Sequence, residues 1–317
     1  MLAKRPLGKS GIEVAPFTLG GNVFGWTIDE ATSFKILDAF VAAGFNFIDT
    51  ADVYSRWKEG NKGGESETII GKWLKLRGNR DKVVIATKVG MDMGDGKKGL
   101  APLYITQAVE DSLRRLQTDY IDLYQSHRDD ETIPQEETLE TYDKLRAQGK
   151  IRAIGASNFS AKRLAEALTL SERWGYIPYS TLQPQYNLYD RADFEKELEP
   201  LCLEKGIGVI NYYSLASGFL TGKYRTAEDV HKSARGAKAT SYLNARGYDI
   251  LKALDEVSAK HFTTPAAVSI AWLIARKSVT APIASATSVN QLEELLKATE
   301  IKLSDADIEL LNHASKY

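Results

Sequence analysis

The stretch FNFIDTADVYS, residues 45–55, runs an apolar segment of Phe45, Phe47 and Ile48 directly into a carboxylate, Asp49, and places Tyr54 just beyond it. A short, nearly continuous apolar run that ends in a polar residue reads as a strand buried on both faces of a sheet. Seven other segments repeat the pattern: FTLGG (17–21), KVVIATK (82–88), YIDLYQS (120–126), IRAIGAS (151–157), STLQPQ (180–185), IGVINYY (207–213) and APIASA (281–286). Between them, apolar residues return at three- and four-residue spacing, as in Ile36, Leu37, Phe40 and Val41, or Val109, Leu113 and Leu116, which is helical periodicity. Eight strands alternating with helices imply parallel pairing with both sheet faces covered. The count favours a closed (β/α)8 TIM barrel over an open doubly wound sheet.

The remaining segments fit around that barrel. KRPLG, KSG and IEVAP near the N-terminus have strand, turn and strand character and predict a hairpin plugging the barrel floor. RGYDILKALDEVSAKH (246–261) and DADIELLNHAS (305–315) exceed the eight-unit count and predict two extra helices outside the ring. Thr264 as N-cap and Pro265 at the first helical position open a helix through AAVSIAWLIARK, with Arg276 and Lys277 expected near its negative end. Residues 214–246, with Gly218, Gly222 and Gly236, form the least regular long segment. No Pro/Gly/Ser linker divides the chain, so residues 1–317 are expected to form a single domain.

With 43% hydrophobic and 26% charged residues, the composition is that of a folded globular protein. A formal net charge of −1 and the lack of long basic runs give no electrostatic footprint for nucleic acid or for an anionic membrane surface. The segment MLAKRPLGKSGIEV has no apolar signal-like core, and no long uncharged apolar run occurs elsewhere, so the expected location is the cytoplasm. The one cysteine, Cys202, is expected to be a buried, inert thiol. The sequence leaves oligomeric state unread.

Several familiar motifs fail on inspection. LGKSG (7–11) carries the GKS of a phosphate loop, but Ala3 stands where that loop requires glycine. No GxGxxG joins a strand to a helix, and the HRD at 127–129 lacks the asparagine of a kinase loop because Pro134 occupies that position. His127, His231, His261 and His313 have no metal-ligand spacing, so no metal is expected.

What remains is a set of polar residues at strand ends, the active face of such a barrel. The second strand ends in Asp49 with Tyr54 beyond it, the third in Lys88, the fourth in His127, and the fifth in Ser157 and Asn158. Each has a plain alternative, since a strand-end aspartate often caps a helix and a lysine there often just reaches solvent. Together they make chemical sense. Asp49 and Lys88 can pair; Lys88 beside Tyr54 favours phenolate over phenol, so the tyrosine can donate a proton near neutral pH; His127 can hydrogen-bond a carbonyl oxygen.

FNFIDTADVYS with GESE (64–67), VIATK, LYQSH, IGASNFS, LQPQYNL, YYSLASGFLTGKY and ATSVNQLEELL resembles, in order and across nearly the whole chain, the motif series of the aldo-keto reductase superfamily. The resemblance implies a (β/α)8 barrel that binds a nicotinamide cofactor at its strand C-termini and reduces a small-molecule aldehyde or ketone. It makes Tyr54 the proton donor, Asp49 and Lys88 the pair that tunes it, and His127 the residue that orients the carbonyl. It assigns Ser157, Asn158 and Gln183 to the nicotinamide carboxamide and Tyr212 to stacking on the ring. Gly21 and Asn22 fall at the first-strand turn beside the cofactor, and Tyr213, Ser214, Leu215, Ser217 and Lys223 fall on the loop that covers the pyrophosphate. Ser285, Thr287, Gln291 and Glu294 match the adenosine end.

Many relatives carry a basic residue near the positions of Ser285 and Gln291 and an asparagine at that of Leu295, so cofactor choice stays open. NADPH is preferred, with Thr287, Gln291, Lys223, Arg235 or Lys238 available to its 2′-phosphate, and NADH is the alternative. Trp57, on the basic loop after Tyr54, is read either as a wall of the substrate pocket with Trp26 and Arg128 or as packed under its own loop. Asp52 is read either as capping the turn that aims Tyr54 or as facing water. A second functional reading, from a resemblance to channel-associated β subunits, is a nicotinamide-sensing binding subunit with little turnover.

Overall fold

The computed structural model describes residues 2–233 and 236–317. The N-terminal hairpin pairs β1 (Arg5–Pro6) with β2 (Glu13–Val14). Eight parallel strands follow: β3 (Thr18–Gly20), β4 (Phe47–Asp49), β5 (Val84–Val89), β6 (Ile121–Ser126), β7 (Ile151–Ser157), β8 (Tyr179–Gln183), β9 (Gly208–Val209) and β10 (Ile283–Ala284). Each of the eight expected segments overlaps one of them, β5 running one residue past its segment and β8 starting one residue before. They run in the order β10-β3-β4-β5-β6-β7-β8-β9, and Thr280 N→Val209 O (2.8 Å) and Ile283 N→Asn211 O (3.0 Å) join the two ends of the sheet. The fold is the (β/α)8 barrel with its N-terminal hairpin. β9 is much shorter than 207–213 because Asn211 and Tyr212 leave the ladder, Tyr212 making only an isolated bridge to Gln185.

Around the ring lie α1 (Glu30–Ala42), α2 (Glu65–Arg77), α3 (Pro102–Leu116), α4 (Gln135–Ala147), α5 (Ala161–Trp174), α6 (Glu199–Lys205), α7 (Gly236–Thr240), α8 (Ala245–Lys260), α9 (Pro265–Ile274), α10 (Val289–Leu296) and α11 (Asp305–Ala314). The two extra helices are α8 and α11, clipped together where Asp307 accepts from Lys260 (2.6 Å) and His261 (3.0 Å). Thr264 caps α9 through Ala267 N, as expected, but the helix stops at Ile274. Arg276 is therefore no dipole partner: its guanidinium turns to Glu199 at 3.2 Å. Residues 214–246 are also more regular than their composition suggests, with 3-10 turns at Ala216–Thr221 and Ala227–Lys232 leading to α7. Among the described residues, no helix is long and apolar enough to cross a membrane.

Two apolar regions hold the barrel. Outward-facing strand residues such as Leu19, Ile48, Ile85 and Ile154 pack under the helices. Inside the ring, Leu7 and Val14 of the hairpin join Phe47, Val84, Leu123, Ala153, Ile210 and Ala281. Leu7 and Val14 thus fill the floor, and the same alternation that points Phe47 and Val84 inward points Asp49 and Lys88 inward further along their strands. The top of the barrel is therefore polar because its floor is already sealed. Cys202 is buried, and burial pushes its thiol up to about 12.

Candidate active site

At the C-terminal end of the ring, Lys88 is completely buried and its ammonium is fully engaged. It donates to Asp49 Oδ2 (2.6 Å), to the Thr50 carbonyl (2.8 Å) and to the Tyr54 hydroxyl (2.9 Å). Asp49 Oδ1 accepts from Gln125 Nε2 (3.1 Å) and Gln183 Nε2 (3.0 Å), so the carboxylate is satisfied on both oxygens. Burial pulls the Lys88 pKa below the ordinary lysine value, with Asp49 opposing the shift. The third ammonium proton thus meets a phenolic oxygen rather than a second charge.

Local sequence explains how Tyr54 reaches that point. Asp49 ends β4, and the chain turns at once, with Thr50 N→Ala86 O (2.8 Å), Asp52 N→Lys88 O (3.2 Å) and Tyr54 N→Ala51 O (3.2 Å). Ser55, at φ 74°, then anchors the loop by donating to the Phe24 carbonyl (2.7 Å). Half-buried Tyr54 faces His127, the two rings lying 6.1 Å apart. Burial, with the Lys88 and Arg128 charges adding to it, holds His127 well below the ordinary histidine range, so its imidazole is neutral at neutral pH. A neutral imidazole offers one N–H donor.

Asn158 joins this centre to its rim. Standing in the left-handed region at φ 56°, it donates to the His127 carbonyl (2.9 Å) and to Ser157 Oγ (3.1 Å) and accepts from the Tyr212 hydroxyl (2.8 Å). Ser157 in turn donates to the Gln183 carbonyl (2.9 Å). Beyond Tyr212, Tyr213, Ala216, Ser217 and Gly218 all have positive φ, Ser214 is tied to Asn211 (3.0 Å), and Leu215 packs on the core. Ser217 Oγ is buried with no partner among the described residues. Lys238 places its ammonium 3.9 Å from the Tyr213 ring centre, and Lys223 lies exposed nearby. Such a sharply turned backbone with an unclaimed hydroxyl and two cations at hand suits a diphosphate.

On the opposite rim, Ser285 donates to Asn22 Oδ1, linking the ends of β10 and β3. Gly21 belongs here because a Cβ would stand 2.9 Å from Ser66 Oγ, whose hydrogen bond to the Gly21 carbonyl (2.8 Å) fixes this turn. Ser288 caps α10, and Gln291 folds its carbonyl back onto Thr287 N (2.9 Å) and Oγ1 (2.8 Å). Glu294 is part-exposed, whereas Leu295 is buried in the core and does not face this rim. Arg235 lies outside the described residues. Trp57 is 49% exposed, and its ring meets Trp26 (5.5 Å) and Tyr54 (5.9 Å) edge-on, so it stands beside the tyrosine and is not packed under its own loop. Arg128 is exposed next to His127. A cavity of about 790 Å³, lined in part by Arg80, Glu110 and Lys150, lies elsewhere and contains none of these groups.

Two buried residues at the centre, Gln125 and Glu67, escaped the sequence reading, and a third, Asp52, fits neither of its two readings. Gln125 lies two positions before His127 on the inward face of β6, a position that strand alternation alone could have flagged. Glu67 is fully buried under the site, accepting from Thr87 Oγ1 (2.5 Å) and Arg115 Nε (2.6 Å). Asp52 neither faces water nor caps the turn with its side chain: it is 2% exposed, and both carboxyl oxygens lack a partner among the described residues.

The family model described as the aldo/keto reductase family matches residues 16–316, so this chain belongs to that family and is an oxidoreductase. Among its relatives, an uncharacterized oxidoreductase, YrpG, of Bacillus subtilis (strain 168) is 36% identical, the match covering 96% of this chain and 94% of the relative. An aryl-alcohol dehydrogenase [NADP(+)] of Phanerodontia chrysosporium is 32% identical over 95% of this chain and 83% of its own. A probable voltage-gated potassium channel subunit beta of Oryza sativa subsp. japonica is 32% identical over 93% and 90%.

Proposed function

We propose that this chain reduces the carbonyl group of an aldehyde or ketone, with NADPH as its cofactor and Tyr54 as the proton donor. The observation that carries the reading is the buried Lys88 ammonium, shared between the Asp49 carboxylate and the Tyr54 hydroxyl. When bound, a nicotinamide cofactor supplies the hydride that goes to the carbonyl carbon. Tyr54 Oη gives its proton to the carbonyl oxygen, and the phenolate left behind is stabilised by Lys88 until solvent returns a proton. Asp49 keeps Lys88 charged and in place. His127, neutral, hydrogen-bonds the carbonyl oxygen and polarises it.

Ser157, Asn158 and Gln183 would hold the carboxamide, and Tyr212 would pack on the ring. Asn158 must exchange its bond to the Tyr212 hydroxyl or one of its two donations to do so. The turn at Tyr213–Ser217 would take the diphosphate, Gly21 and Asn22 would lie beside the cofactor, and Ser285, Thr287, Gln291 and Glu294 would take the adenosine end. The preference for NADPH rests on Lys223 and Lys238 near that turn, on the α10 N-terminus and on the NADP(+) in the name of the aryl-alcohol dehydrogenase relative. Trp26, Trp57 and Arg128 would border the substrate.

The channel-subunit relative supports a second reading, in which the same site binds cofactor and turns it over little. Purified protein assayed with NADPH and with NADH against a panel of aldehydes and ketones separates the two. Carbonyl-dependent oxidation, faster with NADPH, is the expected result; tight cofactor binding with no oxidation across the panel would favour the regulatory reading.

A further inference from the structure

The proton-donor site contains one carboxyl too many. Asp49, Asp52 and Glu67 are all buried around Tyr54 and Lys88, and among the described residues two cations, Lys88 and Arg115, pair with or act on them. Lys88 is committed to Asp49 at 2.6 Å, and Arg115 to Glu67 at 2.6 Å. Both oxygens of Asp49 and both of Glu67 accept hydrogen bonds, through Gln125, Gln183 and Thr87 as well as the cations. Among the described residues Asp52 has no side-chain donor for either oxygen, and the backbone amide acting on it is that of its neighbour Val53; it stands only two residues before Tyr54, its own amide bonded to the Lys88 carbonyl.

An ionised carboxylate here would leave the cluster with a net negative charge and no side-chain hydrogen bond to offset desolvation. A neutral acid leaves two balanced ion pairs. We propose that Asp52 is a positioning residue of the proton-donor site, held as the protonated acid, so that the charge of Lys88 is answered by Asp49 alone and acts on the Tyr54 hydroxyl. A negative charge at Asp52 would compete for Lys88, stabilise phenol over phenolate, and blunt the tuning of Tyr54.

The surroundings agree. The groups acting on Asp52 are Glu67 of α2, Lys88 of β5 and Arg115 of α3, and Tyr104 of α3 and Tyr124 of β6 respond to it in turn. Burial and the Glu67 charge push the Asp52 carboxyl well above the usual carboxylate range, against the weaker pull of Arg115, the Val53 amide and Lys88. The Tyr124 hydroxyl, also buried, has no hydrogen-bond partner among the described residues and so does not donate to Asp52.

The inference rests on Tyr54 being the proton donor, and the test separates the two ideas. Infrared difference spectra between the wild-type protein and Asp52→Asn, taken at neutral pH, read the protonation state without any turnover. The expected result is a protonated carboxylic acid C=O band present in the wild type and lost in the variant. A carboxylate band lost in its place would overturn the proposal whatever the activity. The second readout is the alkaline limb of the pH–rate profile for carbonyl reduction, which should fall at the same pH in both proteins because asparagine replaces one neutral group by another. Were Asp52 ionised, removing its charge would move the limb to lower pH by on the order of one unit, and that shift would also overturn the proposal. If the band is found but no carbonyl is reduced, the protonated state stands and the proton-donor role of Tyr54, with the positioning role built on it, falls.

Discussion

The strands β5 and β6 help build a buried or half-buried ion cluster at each end of the barrel, and the two clusters behave in opposite ways. At the floor, Asp122 accepts from Arg80 (2.8 Å), Arg152 (2.9 Å) and the Ile85 amide (2.9 Å), and the two guanidinium groups lie 3.8 and 4.0 Å from the Tyr120 ring centre. At the top, Asp49 has a single cation, Lys88, which also holds Tyr54. Arginine cannot give up its proton in a protein and lysine can shift when buried, so a guanidinium pair makes a fixed lock and a buried ammonium makes a site whose charge can be tuned. The same two strands carry stability at one end and candidate chemistry at the other.

Replacing the cation at the top should have the largest effect. Lys88→Met leaves Asp49 buried without its counter-charge, and breaking a buried pair in this way costs about 3–5 kcal/mol. Denaturant unfolding should show a loss of that size together with collapse of carbonyl reduction; a loss below about 1 kcal/mol would mean that Asp49 is not dependent on Lys88. Tyr54→Phe comes next and should touch chemistry alone. It keeps the ring and removes the proton, so turnover should fall by roughly 10²–10⁴-fold, while cofactor affinity measured by fluorescence quenching stays close to wild type. Near-normal turnover would take Tyr54 out of the donor role.

At the floor the pattern should invert. Asp122→Asn removes a charge from between two guanidinium groups and leaves donors facing donors, a cost of about 1–3 kcal/mol in stability. Its kcat should be unaffected, since the apolar layer of Phe47, Val84 and Leu123 separates the two ends. A fall in kcat without a fall in stability would undo the distinction between lock and site.

How much of this contrast the sequence displayed depended on distance along the chain. The eight strands could be read because most of their residues are buried and their segments open on apolar runs, and Asp49, Lys88 and His127 stood out as titratable groups at the ends of those runs. Helix α9 was overextended because nothing local marks the stop at Ile274; Arg276 is drawn away by Glu199, remote in sequence. Gly-rich residues 214–246 looked unstructured because their 3-10 turns rest on single side chains, such as the capping of Thr226 with Asp229. Asp52 sits in a stretch that reads as a polar turn, and what surrounds it comes from far along the chain, with Met93 and the Asp52 carbonyl both packed beside Gly63 and the Arg115 charge acting on the Asp52 carboxyl.

Asp52 also provides the smallest effect and the one whose sign is most telling. A carboxyl raised in the folded state contributes stability that is fully present below its unfolded pKa, about 3.9, and is lost as pH rises toward the folded value. Asp52→Asn has no proton to retain, so it should gain on the wild type above pH ~4, by up to about 1.4 kcal/mol per pH unit, until the folded-state carboxyl ionises. Unfolding midpoints of the two proteins, compared at several pH values between acid and alkaline, would show the gap widening with pH. An ionised, well-solvated Asp52 would give parallel curves, and a carboxylate stabilised by Lys88 or Arg115 would make the wild type gain with pH instead. Lys88 and Asp52 then mark the two ways this barrel handles charge above its sealed floor: one cation kept charged by Asp49, and one acid kept neutral for want of a partner.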